Sequence, residues 1–183
     1  LALALAGGGY LLGRGSTAPR DDGADAGFAR DMQTHHLQAV ELSLILRDKS
    51  PDADLRQLTY DIVTGQQHQA GQMYGWLAAW GLPQTPSQAP MVWMNGPGHA
   101  HGTDEAADLE AMGLATPDEL DQLRAAEGEE AERLFLTLMI EHHRGGVAMA
   151  DAALAHAERP EVRTLAEAVA SAQAAEIALL EDL

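Results

Sequence analysis

The sequence predicts an all-α protein, a four-helix bundle made of two tandem helical hairpins, on three observations. Of its 183 residues 46% are hydrophobic but only 4% aromatic, and most of the apolar set is Ala and Leu, which favour helix over strand. Apolar side chains recur at spacings of three and four through long stretches, the period of one buried helix face. The same residue types then return at a constant distance along the chain. A chain of this length can bury a core without covalent staples, and with no cysteine it has none to use.

Leu1 to Leu12 is an apolar run broken by Gly7, Gly8 and Gly9. It reads as the remainder of a secretory h-region or signal anchor, with Ala4-Leu5-Ala6 as a small-residue cleavage pattern. It is shorter than the ~20 apolar residues of a spanning helix. Residues 13–24, rich in Gly, Ser, Pro and charge, form a tether. Residues 1–24 are therefore expected to be a leader remnant and tether, a candidate membrane attachment for a secreted or otherwise extracytoplasmic protein.

Residues 25–80 are expected to form the first hairpin. Phe28, Met32, His35, Ala39, Leu42 and Leu46 share one helical stripe, and Ser50-Pro51-Asp52 reads as stop and restart, with Ser50 capping the next helix and Pro51 in its first position. Gly81 and Pro83 end that second helix near Trp80. Residues 81–128 hold a Pro-, Gly-, Met- and His-rich loop, with Met91, Met94, His99 and His101 as a weaker ligand set, and a short helix opened by the Thr116-Pro117-Asp118-Glu119 capping box. Residues 129–183 form the second hairpin, restarted at Arg159-Pro160-Glu161.

The hairpins share one register, offset by 107 residues. Phe28, Met32, His35, His36 and Val40 correspond to Phe135, Met139, His142, His143 and Val147, and Leu58, Gln66, Gln69 and Met73 to Leu165, Gln173, Glu176 and Leu180. Agreement at polar as well as apolar positions reads as internal duplication. Residues 26–80 and 129–183 should then superpose about a pseudo-two-fold axis and pack as a bundle.

The chemistry lies in the repeated Met-x-x-His-His cluster. With Met139 at zero, His142 falls at about −60° and His143 at about +40° around the helix, and Gly146 at about −20° adds no side chain above them. Met32, His35 and His36 make the same patch, with Ala39 as the small neighbour. Both patches should face inward, since Phe28 and Phe135 lie on the same stripe. Met149 falls on the His142 side as an outer sulfur ligand, and Gln66, Gln69, Met73, Gln173 and Glu176 are placed to orient an imidazole or complete a coordination shell. Imidazole with thioether and no thiolate suits copper, and zinc or another divalent ion less well. A single buried His is usually a hydrogen-bonded core residue and a helical Met usually core filler; the pairing, occurring twice, favours a metal. His68 and His156 lack such company and are expected at the surface.

A formal net charge of −17 with only 11 Lys and Arg would repel a phosphate backbone, which argues against nucleic acid and anionic membrane as partners. No soluble small-molecule substrate is suggested by the pattern.

The string from Phe135 through Met139, Ile140, His142, His143, Gly146 and Met149, followed by Gln173 and Glu176, resembles the signature of the domain of unknown function 305 family over residues 25–183. That resemblance implies a ferritin-like four-helix bundle, often secreted, with copper binding or tolerance in some members. Two departures fall in the first copy, where Gln69 stands for the acid at Glu176 and Ala39 for the glycine at Gly146; a third is Met112-Gly113, reversed from the family's usual order.

The expected function is copper sequestration or delivery outside the cytoplasm through Met32, His35, His36, Met139, His142 and His143, with Met149 and Glu176 assisting. The second copy is expected to bind more tightly, on the strength of Glu176, Gly146 and Met149. An oxidative enzyme is disfavoured because Glu-x-x-His spacing and inward carboxylates are missing. The competing expectation is a helical interaction module whose His pairs are structural.

Overall fold

The structure, a computed structural model, describes residues 18–86, 88–95 and 111–183. The expected leader at residues 1–12, and His99 and His101, lie outside the described residues. No strand occurs among the described residues; the elements are α1 (Ala24–Arg47), α2 (Ala53–Trp80), a 3-10 turn (Val92–Asn95), α3 (Pro117–Ala125), α4 (Gly128–His156) and α5 (Pro160–Asp182). None of these helices is long and apolar enough to cross a membrane.

Local chemistry sets the boundaries. Asp52 caps α2 through Asp54 N and Leu55 N, while Ser50 accepts from Asp52 N and donates to Glu132. The expectation that Ser50 caps this helix is corrected: Pro51 precedes the cap, and Asp52 has the carboxylate that best meets the helix dipole. Gly81 closes α2 at φ 70°, a conformation glycine adopts without steric cost. Thr116 and Glu119 form the expected capping box on α3. Pro160 opens α5, but Arg159 supplies no side-chain cap. Instead Asp25, in the first turn of α1, accepts from Glu158 N at 3.1 Å and Arg159 N at 2.9 Å. Burial raises the pKa of this carboxyl, and the two N–H groups offset part of that cost.

The main interfaces are α1 on α2, α4 on α5, and α1 on α4. The last joins the hairpins. Phe28 and Met32 at the start of α1 pack with Met149, Ala150 and Ala153 near the end of α4, with Met73 and Leu77 of α2 and Val162, Leu165 and Val169 of α5 completing one core cluster. Ala39, Leu42 and Leu46 pack with Ala131, Phe135 and Met139, with Leu55, Leu58, Ile62 and Leu180 completing the other. The two long helices therefore run antiparallel and cross in the middle, and the histidines occupy the crossing.

Candidate metal centre

His35, His36, His142 and His143 have no solvent exposure. The rings of His35 and His142 stack at a centroid distance of 3.7 Å and a tilt of 33°. His35 Nε2 donates to the backbone oxygen of His142 at 2.9 Å, and His142 Nε2 donates to that of His35 at 3.0 Å. The outer ring of each pair turns to the neighbouring helix of its own hairpin. His36 Nε2 donates to Gln69 Oε1 at 2.7 Å, and His143 Nε2 to Glu176 Oε2 at 2.6 Å.

The tautomers follow from the acceptors. A carbonyl, an amide oxygen and a carboxylate all require a hydrogen on Nε2, so a neutral ring keeps its lone pair on Nδ1. All four Nδ1 atoms are buried with no hydrogen-bond partner. A metal-binding imidazole needs this arrangement: one nitrogen tied to an acceptor that fixes the ring, the other free and basic.

His35, His36 and His142 are neutral at physiological pH. Burial, helped by the nearby His36 and His143 and opposed by the backbones of His142 and Met112, pushes His35 down to about 3. Burial likewise pushes His36 down to about 4, against the favourable bond to Gln69 and with the charge of His143. His142 is held well below its usual value by burial first and then by the other three histidines. No proton must leave these three rings before a cation can bind.

Met32, Met139 and Met149 are fully buried and fall in two clusters. Met149 shares a cluster with Met32 and Met73, whereas Met139 lies in the other cluster with Leu42. The antiparallel crossing brings the end of α4, with Met149, to the start of α1 beside Met32. Glu176 is 27% exposed and links the buried His143 to the surface. Met91 and Met94 pack with the first cluster, and Asp31 accepts from Met91 N and Trp93 Nε1, so these loop methionines fill core. His68 and His156 are exposed. Among the described residues no three His, Asp or Glu side chains are placed to hold an ion by themselves.

Sequence reasoning missed how Met112-Gly113 reaches this centre. A Cβ on Gly145 would overlap the Met112 carbonyl, and one on Gly113, at φ 71°, would overlap the Glu141 carbonyl and lie 3.3 Å from His142 Cα. The signal was present in the two adjacent glycines of α4, each costing about 1 kcal/mol of helix propensity. Gly145 admits this segment, while Gly146 admits Gln173 and His35.

The family model for the domain of unknown function DUF305 matches residues 25–183. The chain belongs to the DUF305 family. A DUF305 protein of Streptomyces coelicolor, described as secreted, has a crystal structure with TM-score 0.80 and 42% identity, covering 89% of this chain and 93% of that one. A DUF305 fragment from Deinococcus radiodurans gives TM-score 0.70 and 33% identity, covering 87% and 93%. CopM in its Cu(II)-bound form gives TM-score 0.65 and 26% identity, covering 86% and 93%, and its Cu(I)-bound form is also similar, at 25% identity. A comparison with the curated proteins gave no match.

Proposed function

We propose that this DUF305 protein is an extracytoplasmic copper-binding protein that sequesters or delivers the ion, without enzymatic turnover, at the crossing of α1 and α4. The observation that carries this reading is the set of four buried imidazoles, each fixed through Nε2 and each with an unpartnered Nδ1. A buried nitrogen left without a partner costs about 1–3 kcal/mol, and a bound cation removes that cost. Because His, Asp and Glu alone do not converge here, the ion would draw on thioethers as well, with Met32 and Met139 three residues before each His pair. That donor set suits Cu(I). The likeness to CopM, which has Cu(I)- and Cu(II)-bound forms, supports the same metal, and the likeness to a protein described as secreted supports the compartment. The stacking of His35 on His142 favours one connected site over two separate ones, in hairpins that are tandem copies of one unit.

One observation favours a second reading. The reciprocal bonds between His35 and His142 lock the two hairpins together, and a purely structural role would need no more. Metal analysis of tag-free protein, with titrations of Cu(I), Cu(II) and Zn(II), separates the two. The copper reading expects tight Cu(I) binding with weaker Zn(II) binding; absence of copper binding leaves the structural one.

A further inference from the structure

Gln66 and Gln173 are 5% and 3% exposed, yet neither the oxygen nor the nitrogen of either amide has a hydrogen-bond partner. Each unmade buried bond costs about 1–3 kcal/mol, and the two residues stand at equivalent positions, 66 and 173. Each lies three residues before the side chain that holds an outer histidine: Gln66 before Gln69, which binds His36, and Gln173 before Glu176, which binds His143. Residues three apart share a helix face, so each glutamine lies on the face that carries its hairpin's histidine partner. For Gln173 the closeness is direct. A Cβ on Gly146 would overlap its amide oxygen and come within 2.7 Å of His35 Cε1, the carbon bonded to the unpartnered Nδ1. It is the amide oxygen, not the NH2 group, that is turned to the His35 side; that oxygen and an imidazole lone pair are both acceptors, and in this orientation a cation between them satisfies both.

We propose that Gln66 and Gln173 are oxygen donors of the metal centre and allow it to retain copper as Cu(II). This rests on the copper reading above. Thioether and imidazole suffice for Cu(I), whereas Cu(II) favours tetragonal nitrogen and oxygen donors. The histidines supply nitrogen, and the two amides supply buried side-chain oxygens without a partner, that of Gln173 beside His35.

The test uses the whole protein with the double variants Gln66→Leu/Gln173→Leu and Gln66→Glu/Gln173→Glu. Folding is followed by circular dichroism, Cu(I) and Cu(II) affinities by competition with chelators, and the Cu(II) ligand set by electron paramagnetic resonance. Leucine at both positions should weaken Cu(II) about 10-fold or more and leave Cu(I) within about 3-fold. A tenfold selective loss of Cu(II) raises the potential of bound copper by ~59 mV. Glutamate at both positions retains an oxygen donor, so it should hold Cu(II) at least as tightly as the native protein, which keeps the test decisive if the leucine variant does not fold. Equal loss of both oxidation states in a folded leucine variant would make the amides ring-positioning groups and overturn the proposal. So would unchanged Cu(II) affinity and spectrum, or weaker Cu(II) binding in the glutamate variant. Failure of the native protein to bind copper in either state would overturn the copper reading itself.

Discussion

The two hairpins differ most where they support the histidines and least at the histidines themselves. Both inner rings donate to a backbone oxygen across the crossing, and both outer rings donate to a side chain 33 residues away. Around them the residues at matching positions diverge: Gln69 corresponds to Glu176, Ala39 to Gly146, Leu42 to Met149 and Gln38 to Gly145. Gln38 holds the passing chain by bonding Ala115 N and O, each at 2.8 Å, whereas Gly145 lets Met112-Gly113 press directly on the helix. A fixed centre within varied supports shows which feature the fold keeps: buried, oriented rings at the crossing, the inner two stacked on each other. The supports set how firmly that point is held.

The shared centre governs the largest expected effect. Unfolded histidines take up protons near pH 6.5, whereas folded His35 and His36 do so only near about 3 and about 4, and His142 well below its usual value. Between those limits the unfolded chain binds more protons, so stability is complete above pH 6.5 and is lost as pH falls toward 3–4. Denaturant unfolding between pH 7 and pH 5 should show stability falling by more than about 1.4 kcal/mol per pH unit, the slope of a single proton. A flat profile would mean that the rings are not buried together as described.

Divergence in the supports predicts unequal costs for small substitutions. Gly145→Ala places a methyl against the backbone of Met112 and should destabilise by about 2–3 kcal/mol, as overpacking does. At the equivalent position of α1, Gln38→Ala loses two hydrogen bonds to Ala115 and should cost about 1–2 kcal/mol. Gly146→Ala should cost less than Gly145→Ala, about 1–2 kcal/mol, because its nearest contact is the end of the Gln173 side chain rather than backbone, and Ala39 already occupies the matching place. Equal costs at positions 145 and 146 in thermal or chemical unfolding would contradict this ordering.

The smallest effect concerns the outer rings. Glu176→Gln makes the second pair resemble the first and replaces a carboxylate acceptor of His143 with a neutral one, which makes the imidazole a poorer donor. Copper affinity should fall by about 10-fold, and Gln69→Glu should move it the other way. If neither substitution changes the affinity measured by chelator competition, His36 and His143 are not ligands.

Much of this was legible in the sequence, for reasons that also mark where reading failed. The register linking Phe28-Met32-His35-His36 to Phe135-Met139-His142-His143 exposes both hairpins and the inward stripe, because helix periodicity is a local property. The Thr116–Glu119 box is local too, and the structure forms it. Ser50 was misread because capping depends on which of two polar residues, one on each side of Pro51, meets the helix axis, and Asp52 does. Helical angles locate Met149 relative to His142 but say nothing of the antiparallel crossing that brings it to Met32. The role of Gly145 depends on a segment more than thirty residues earlier reaching it, a contact that no periodicity encodes. That Gln66 and Gln173 are buried without partners is likewise a tertiary fact.

The central claim is that both histidine pairs serve one connected copper site, and a Cu(I) titration of three proteins tests it most directly. The native protein, His35→Ala/His36→Ala and His142→Ala/His143→Ala are titrated against a competing Cu(I) chelator, with folding checked by circular dichroism. One connected site predicts that either double substitution abolishes the tight step or weakens it by 100-fold or more, on the order of two lost ligands. If each variant retains one tight step while losing another, the copies bind copper separately. If both bind as the native protein does, the histidines are structural and the account is wrong.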